Sequence, residues 1–200
     1  MLAGAGLLVA AVAFYYPLVV LGRALVDYDA FVYFYPLREY LARSLLAGEI
    51  PLWNPDLFLG VPFLANPQTA VLYPPSWLFV LGPVHNIYSL QLVLHACLAA
   101  FFTYALTRHA FGVAPLAGVL GGLSYAFGGF AVGQVGHLNQ FSAGAWLPAV
   151  LLAYDRFVVL GQARWIGFGA LALALQLLAG HPQETYMTLL ALGVFGLVRA

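Results

Sequence analysis

Six apolar stretches, at about 2–22, 86–107, 114–133, 143–160, 165–180 and 185–199, leave this sequence little room to fold as anything but a bundle of membrane helices. A span needs roughly 20 apolar residues at about 1.5 Å rise each, and every stretch reaches or approaches that length. Charge agrees: only 7% of the 200 residues are Asp, Glu, Lys or Arg, against the roughly 25% that keeps a soluble surface wet. The first stretch lacks a basic leader and a clean small-residue cleavage pattern, so it reads as an uncleaved span rather than a signal peptide. A net charge of +0 gives no basic face for nucleic acid. Cys97, the single cysteine, lies in an apolar stretch, excludes an intrachain disulfide and reads as a small buried hydrophobe.

The expected fold is therefore all-α, a polytopic transmembrane helical bundle of about six spans forming one domain over 1–200. Its orientation follows from the arginines. Arg108, Arg156, Arg164 and Arg199 fall on one side with Asp155 as the only acid there. The other side carries Asp27, Asp29, Glu39, Glu49, Asp56 and Glu184 against Arg23, Arg38 and Arg43. Arginine in short connections marks the cytoplasmic side, which places the N-terminus inside and the long loop 24–83 outside.

That loop is far longer than the other connections, and long ordered loops tend to be functional. Pro36 suits a first helical turn, Phe34, Leu37, Leu41 and Leu45 form an apolar stripe, and Gly48 suits a C-cap. The spacing predicts an amphipathic helix lying in the bilayer interface with its stripe toward lipid, supported by a Glu39–Arg43 pair. Prolines at 55, 62, 67, 74 and 75 forbid a continuous helix beyond it. A second short interfacial segment is expected at Ser76–Leu81, with Trp53, Tyr73 and Trp77 at headgroup depth.

Candidate chemistry gathers on the outer side. Asp27 and Asp29 stand at the edge of the first span, where an acid is expensive unless paired, hydrated or metal-bound. On a helix the two point in nearly opposite directions, so only one can face a given site. Three segments share a polar character: Ala65-Asn-Pro-Gln68, Gly136-His-Leu-Asn-Gln140 and Gly180-His-Pro-Gln-Glu184, the last two forming a weak internal repeat. His137, Asn139, Gln140, His181, Gln183 and Glu184 are candidates to converge with the long loop on one polar pocket able to hydrogen-bond sugar hydroxyls or phosphate. Two lone histidines do not make a metal box, so no metal ligands are assigned. Arg38 and Arg43 are candidate phosphate holders or interfacial anchors. Within the spans, Tyr88, Gln91, His95 and Gln176 are expected to bond across helices, and Gly118-x-x-x-Gly122 to allow close helix approach.

The run from Asp29-Ala-Phe-Val-Tyr-Phe-Tyr-Pro36, through Leu46-Ala-Gly48, Pro51-Leu-Trp-Asn-Pro55 and Gly60-Val-Pro-Phe63, to Ala65-Asn-Pro-Gln68 resembles the YfhO-like bacterial membrane proteins. Tyr125-Ala-Phe-Gly-Gly-Phe130 and Gly180-His-Pro-Gln183 fit the same pattern. That family is similar to the GT-C glycosyltransferases, which take a sugar from a polyprenyl-phosphate donor. The resemblance implies a multi-pass protein of the bacterial cytoplasmic (inner) membrane with its active face extracytoplasmic. Asp29, seven residues before Pro36, would be the general base, with Asp27 as an extra acid. Asn54 and Gln68 lie in the most specific part of the motif run, among the candidate substrate contacts. The implied partners are the lipid bilayer, a polyprenyl-phosphate sugar donor and an envelope polymer, lipid or protein acceptor; the cofactor is open, a divalent metal included. GT-C enzymes carry more spans than six, so the resemblance also implies an N-terminal part of a larger module. The rival reading is a non-catalytic or transport-type membrane protein handling lipid-linked sugars or envelope polymers.

Overall fold

A computed structural model describes residues 2–199, and apart from one two-stranded ladder its regular elements are helical. Helix α1 (Leu2–Phe14) and the short α2 (Tyr16–Val19) open the chain. A helix then begins beside Asp27, widens into a π segment at Ala30–Phe34 and continues as α3 (Tyr35–Leu46). It closes at Gly48, where the Glu49 amide donates to the Ser44 carbonyl and the Gly48 amide to that of Leu45. Strands β1 (Trp53–Asn54) and β2 (Val61–Pro62) pair antiparallel, and 3₁₀ turns follow at Pro67–Thr69 and Pro74–Leu81. The remainder is helical: α4 (Val84–Ala110), α5 (Pro115–Phe127), α6 (Gly129–Gly133), α7 (Leu138–Gly144), α8 (Leu147–Leu160), α9 (Arg164–Leu178) and α10 (Pro182–Arg199).

Among the described residues, three helical runs are long and apolar enough to cross a membrane: α4, α5 with α6 (Pro115–Gly133), and α7 with α8 (Leu138–Leu160). Shorter apolar helices are Ala3–Phe14 and Arg164–Leu178. Two of the three runs are interrupted, at Gly128 between α5 and α6 and at Ala145–Trp146 between α7 and α8. The stretch expected at 143–160 starts earlier, at Leu138, because Asn139 and Gln140 satisfy their polar side chains across the bundle and need no solvated turn.

Helix α4 is the hub, packing against α1, α5, α7 and α8. Tyr88, Leu92, Ala96 and Ala100, four residues apart, are fully buried along its face. The small-residue pattern acts as expected, since a Cβ added at Gly122 would lie 2.6 Å from the Ala100 carbonyl oxygen, so only glycine lets α5 this close. The polar residues of the spans are also paired. Gln176 donates to the Ala143 carbonyl at 3.0 Å and to Thr188 at 2.8 Å, and Gln91 donates to the Pro75 carbonyl.

At one end of the bundle, fully buried Asp155 holds Arg156 at 2.6 Å and Arg199 at 2.7 Å. Arg156 also donates to the His109 carbonyl at 3.0 Å. This network ties the ends of α4, α8 and α10 together and joins Arg156 and Arg199, whereas Arg108 bonds the Val113 carbonyl and Arg164 lies over Trp165.

The long loop folds on itself. The α3 stripe is not free to face lipid: Leu37 and Leu41 are buried against Phe63 and Val71, and Phe34 is buried in the main core. Arg43 pairs with Asp56 at 3.3 Å rather than with Glu39, because the β1–β2 connection brings Asp56 over the helix. Trp53 and Trp77 are exposed, whereas Tyr73, expected beside them at headgroup depth, is buried and bonded to Trp146 and His95.

Candidate active site

The two acids at the start of the loop helix have separate fates. Asp27 Oδ1 accepts the backbone amides of Asp29 at 3.1 Å and Ala30 at 3.3 Å, which is how a carboxylate caps a helix start. Its carboxylate also lies hard against Gly136, where any Cβ would collide with it. Asp29, one step into the helix, points elsewhere and meets His137, with its Oδ2 2.7 Å from Nε2. Their side chains are 46% and 44% exposed, so the pair sits at an open edge. A π turn begins at the next residue, Ala30, and such turns are frequent at functional sites.

The imidazole of His137 has one nitrogen available and one hidden. Nε2 donates to the carboxylate, while Nδ1 is buried without a partner and the ring packs edge-on against Phe34. Only the Asp29 carboxylate, then, presents an accessible basic oxygen.

Behind this pair Asn139 joins three segments. It accepts from Arg38 Nη2 at 2.6 Å and donates to the Gln68 carbonyl at 2.9 Å. Arg38 is 1% exposed, donates through Nη1 to the Thr69 carbonyl and lies 5.8 Å from the Phe79 ring centre. Burial pulls its guanidinium down to about 10, though Tyr88 and Tyr33 oppose that. Arg38 thus fastens the Asp29 helix to the loop and to the segment that carries His137. It is a scaffold cation rather than one at headgroup level.

The internal repeat closes on itself. Gln140 Nε2 donates to Glu184 Oε1 at 3.0 Å, and these are the corresponding fifth positions of the two segments. His181 Nδ1 lies 3.9 Å from the same oxygen. Gly180, at φ +89°, has the Pro67 carbonyl and the Asn139 amide in contact distance of where a Cβ would stand, so glycine alone fits this crossing.

Sequence reasoning thus names residues that meet in three sets: Asp29 with His137, Gln68 with Asn139 and Arg38, and Gln140 with Glu184 and His181. Others lie apart. Arg43 is on the exposed Asp56 pair, and Gln183 is exposed. Asn54 is buried and caps the Asp56 amide at 2.9 Å. Gln91 and His95, expected to bond across helices, belong to a buried chain Trp146–Tyr73–His95–Gln91 in which the parts of Tyr73 and Trp146 are not foreseen from sequence. Trp146 Nε1 donates to the Tyr73 hydroxyl at 2.9 Å, which bonds His95 Nε2 at 2.6 Å, while Nδ1 bonds the Gln91 carbonyl at 2.7 Å. No local signal marks Tyr73 or Trp146, because their partners are distant in sequence. Among the described residues no three His, Cys, Asp or Glu side chains stand together as metal ligands would.

Fold and composition define a mostly helical protein with, among the described residues, three helical runs long and apolar enough to cross a membrane. No family model, curated protein or solved structure matches the chain.

Proposed function

We propose that the chain is the catalytic face of a membrane glycosyltransferase that takes sugar from a polyprenyl-phosphate donor on the extracytoplasmic side of a bacterial inner membrane. The observation that carries this reading is the Asp29–His137 contact of 2.7 Å at an open edge, beside a motif run resembling the YfhO-like family. Asp29 accepts the proton of an acceptor hydroxyl as that oxygen attacks the anomeric carbon. The bond from that carbon to the phosphate oxygen breaks, and the lipid phosphate leaves with the electron pair. His137 positions the carboxylate, and Asp27 keeps the helix start in place. The six-span topology, with the N-terminus inside and loop 24–83 outside, belongs to the same reading and draws on the arginine distribution.

A transport-type protein is the second reading, favoured by the helix interruptions at Gly128 and Ala145–Trp146, since broken helices mark substrate paths in transporters. Sugar transfer from a lipid-linked donor in proteoliposomes separates the two. Asp29→Asn should lower it by about 10²–10⁴, the usual worth of a general base, with expression and insertion intact. Undiminished transfer in that variant would remove the enzymatic reading.

A further inference from the structure

Both helix interruptions border one cavity of about 280 Å³ between α4, α5–α6 and α7, lined in part by His95, Tyr125, Gly129, Gln134, Gln140 and Gly144. Non-helical backbone at membrane depth is tolerated where it is buried in protein or lines a cavity. Two breaks opening onto the same space therefore point to a site.

The wall chemistry narrows the occupant. Both His95 nitrogens are engaged, so only ring carbon faces the space, and the Tyr125 hydroxyl is spent on the Gly144 carbonyl at 2.8 Å. Alanine, glycine and phenylalanine make most of the remaining wall. The remaining polar groups are the Ser124 hydroxyl and the amides of Gln134 and Gln140, with Gln140 bonded to the Glu184 carboxylate. No lysine or arginine lines the cavity, and no arginine pairs with Glu184 among the described residues. An anionic head finds no cation there, whereas a hydroxyl finds acceptors. The cavity borders α5–α6, where Tyr125 and Phe130 are exposed and only 17% of the apolar window of the run is buried. In a bilayer-spanning arrangement that flank would meet acyl chains, which makes it the side of entry.

We infer that this cavity binds one chain of an uncharged membrane lipid whose head carries a hydroxyl, entering sideways from the bilayer. The volume sits at the small end of the roughly 300–1,000 Å³ of ligand pockets, which fits one chain and its attachment point rather than a whole lipid. The site is separate from Asp29 and serves under either functional reading.

The test uses the full chain in nanodiscs containing a diazirine-acyl diacylglycerol or, in parallel, a diazirine-acyl phosphatidic acid, with crosslinked peptides read by mass spectrometry. Diacylglycerol should label the peptides of α4 and α7 that line the cavity, several-fold more than phosphatidic acid does. A Cβ at Gly144 meets open space, so Gly144→Leu fills the cavity without a clash at its first atom, and labelling should fall about tenfold, as for excluding two or so chain methylenes. Gly129→Leu, also in open space, repeats the test should Gly144→Leu fail to fold. Equal labelling by the two probes, or labelling indifferent to both leucines, overturns the inference. Asp29→Asn should leave labelling unchanged, so failure of the sugar-transfer reading is recognised separately.

Discussion

A guanidinium held by neutral carbonyls and no carboxylate, as Arg38 is, stays in place only while each of its acceptors does. Arg38→Ala strands the Thr69 carbonyl and Asn139 Oδ1, each at about 1–3 kcal/mol, so thermal melting in detergent should show a loss on the order of 3 kcal/mol. Arg38→Met keeps the apolar stem and should cost less. Because burial lowers the Arg38 value only to about 10, the group stays charged across the neutral range, and its desolvation cost is relieved only as pH rises above that value. The Arg38→Met difference should accordingly be flat with pH near neutrality; a marked slope would place another titrating group in the interaction. Gly136 is the second sensitive position: Gly136→Ala should displace the Asp27 cap and lower stability by about 1 kcal/mol or more. Gly133→Ala, in open space, should be nearly silent. At this scale the sequence shows which residues are polar and close along the chain, as with Asp27 and Asp29, but not the π turn that follows them. It does not show that Asn139 or Tyr73 bridges segments, because those bonds join residues tens of positions apart.

Helical elements were legible where periodicity and proline agree. Pro115, Pro148 and Pro182 stand in first turns and α3 ends where Gly48 suits a C-cap, but Pro36 lies inside a helix that already starts beside Asp27 and is widened by the π segment just before it. What α3 packs against was not legible, since the same stripe serves lipid or Phe63 and Val71 equally well. The interruption at Gly128 was hidden by an unbroken apolar composition. Where elements meet at the opposite end, Asp155 is decisive. Asp155→Ala leaves Arg156 and Arg199 without their carboxylate and should cost about 3–5 kcal/mol, seen as a lowered melting temperature. A variant that melts like the parent would show that the α4, α8 and α10 ends are held by apolar packing alone.

For the whole molecule, composition points to the membrane class that three apolar helical runs among the described residues are compatible with, and arginine placement proposes a sidedness that contact geometry does not test. In a Cys97→Ser background, a membrane-impermeant maleimide should label D56C on intact cells and R108C only after permeabilisation. Labelling of both from one side would reverse the proposed topology. The repeat at 136–140 and 180–184 is the clearest case of sequence anticipating assembly, since its fifth positions, Gln140 and Glu184, bond directly. The proposed chemistry depends most on the coupling between Asp29 and His137. A double-mutant cycle on sugar transfer in proteoliposomes, with Asp29→Asn, His137→Ala and both together, tests it. If His137 acts only through the carboxylate, His137→Ala alone should slow transfer and add almost nothing once Asp29 is Asn. Losses that simply multiply, or a His137→Ala rate equal to the parent's, would contradict it.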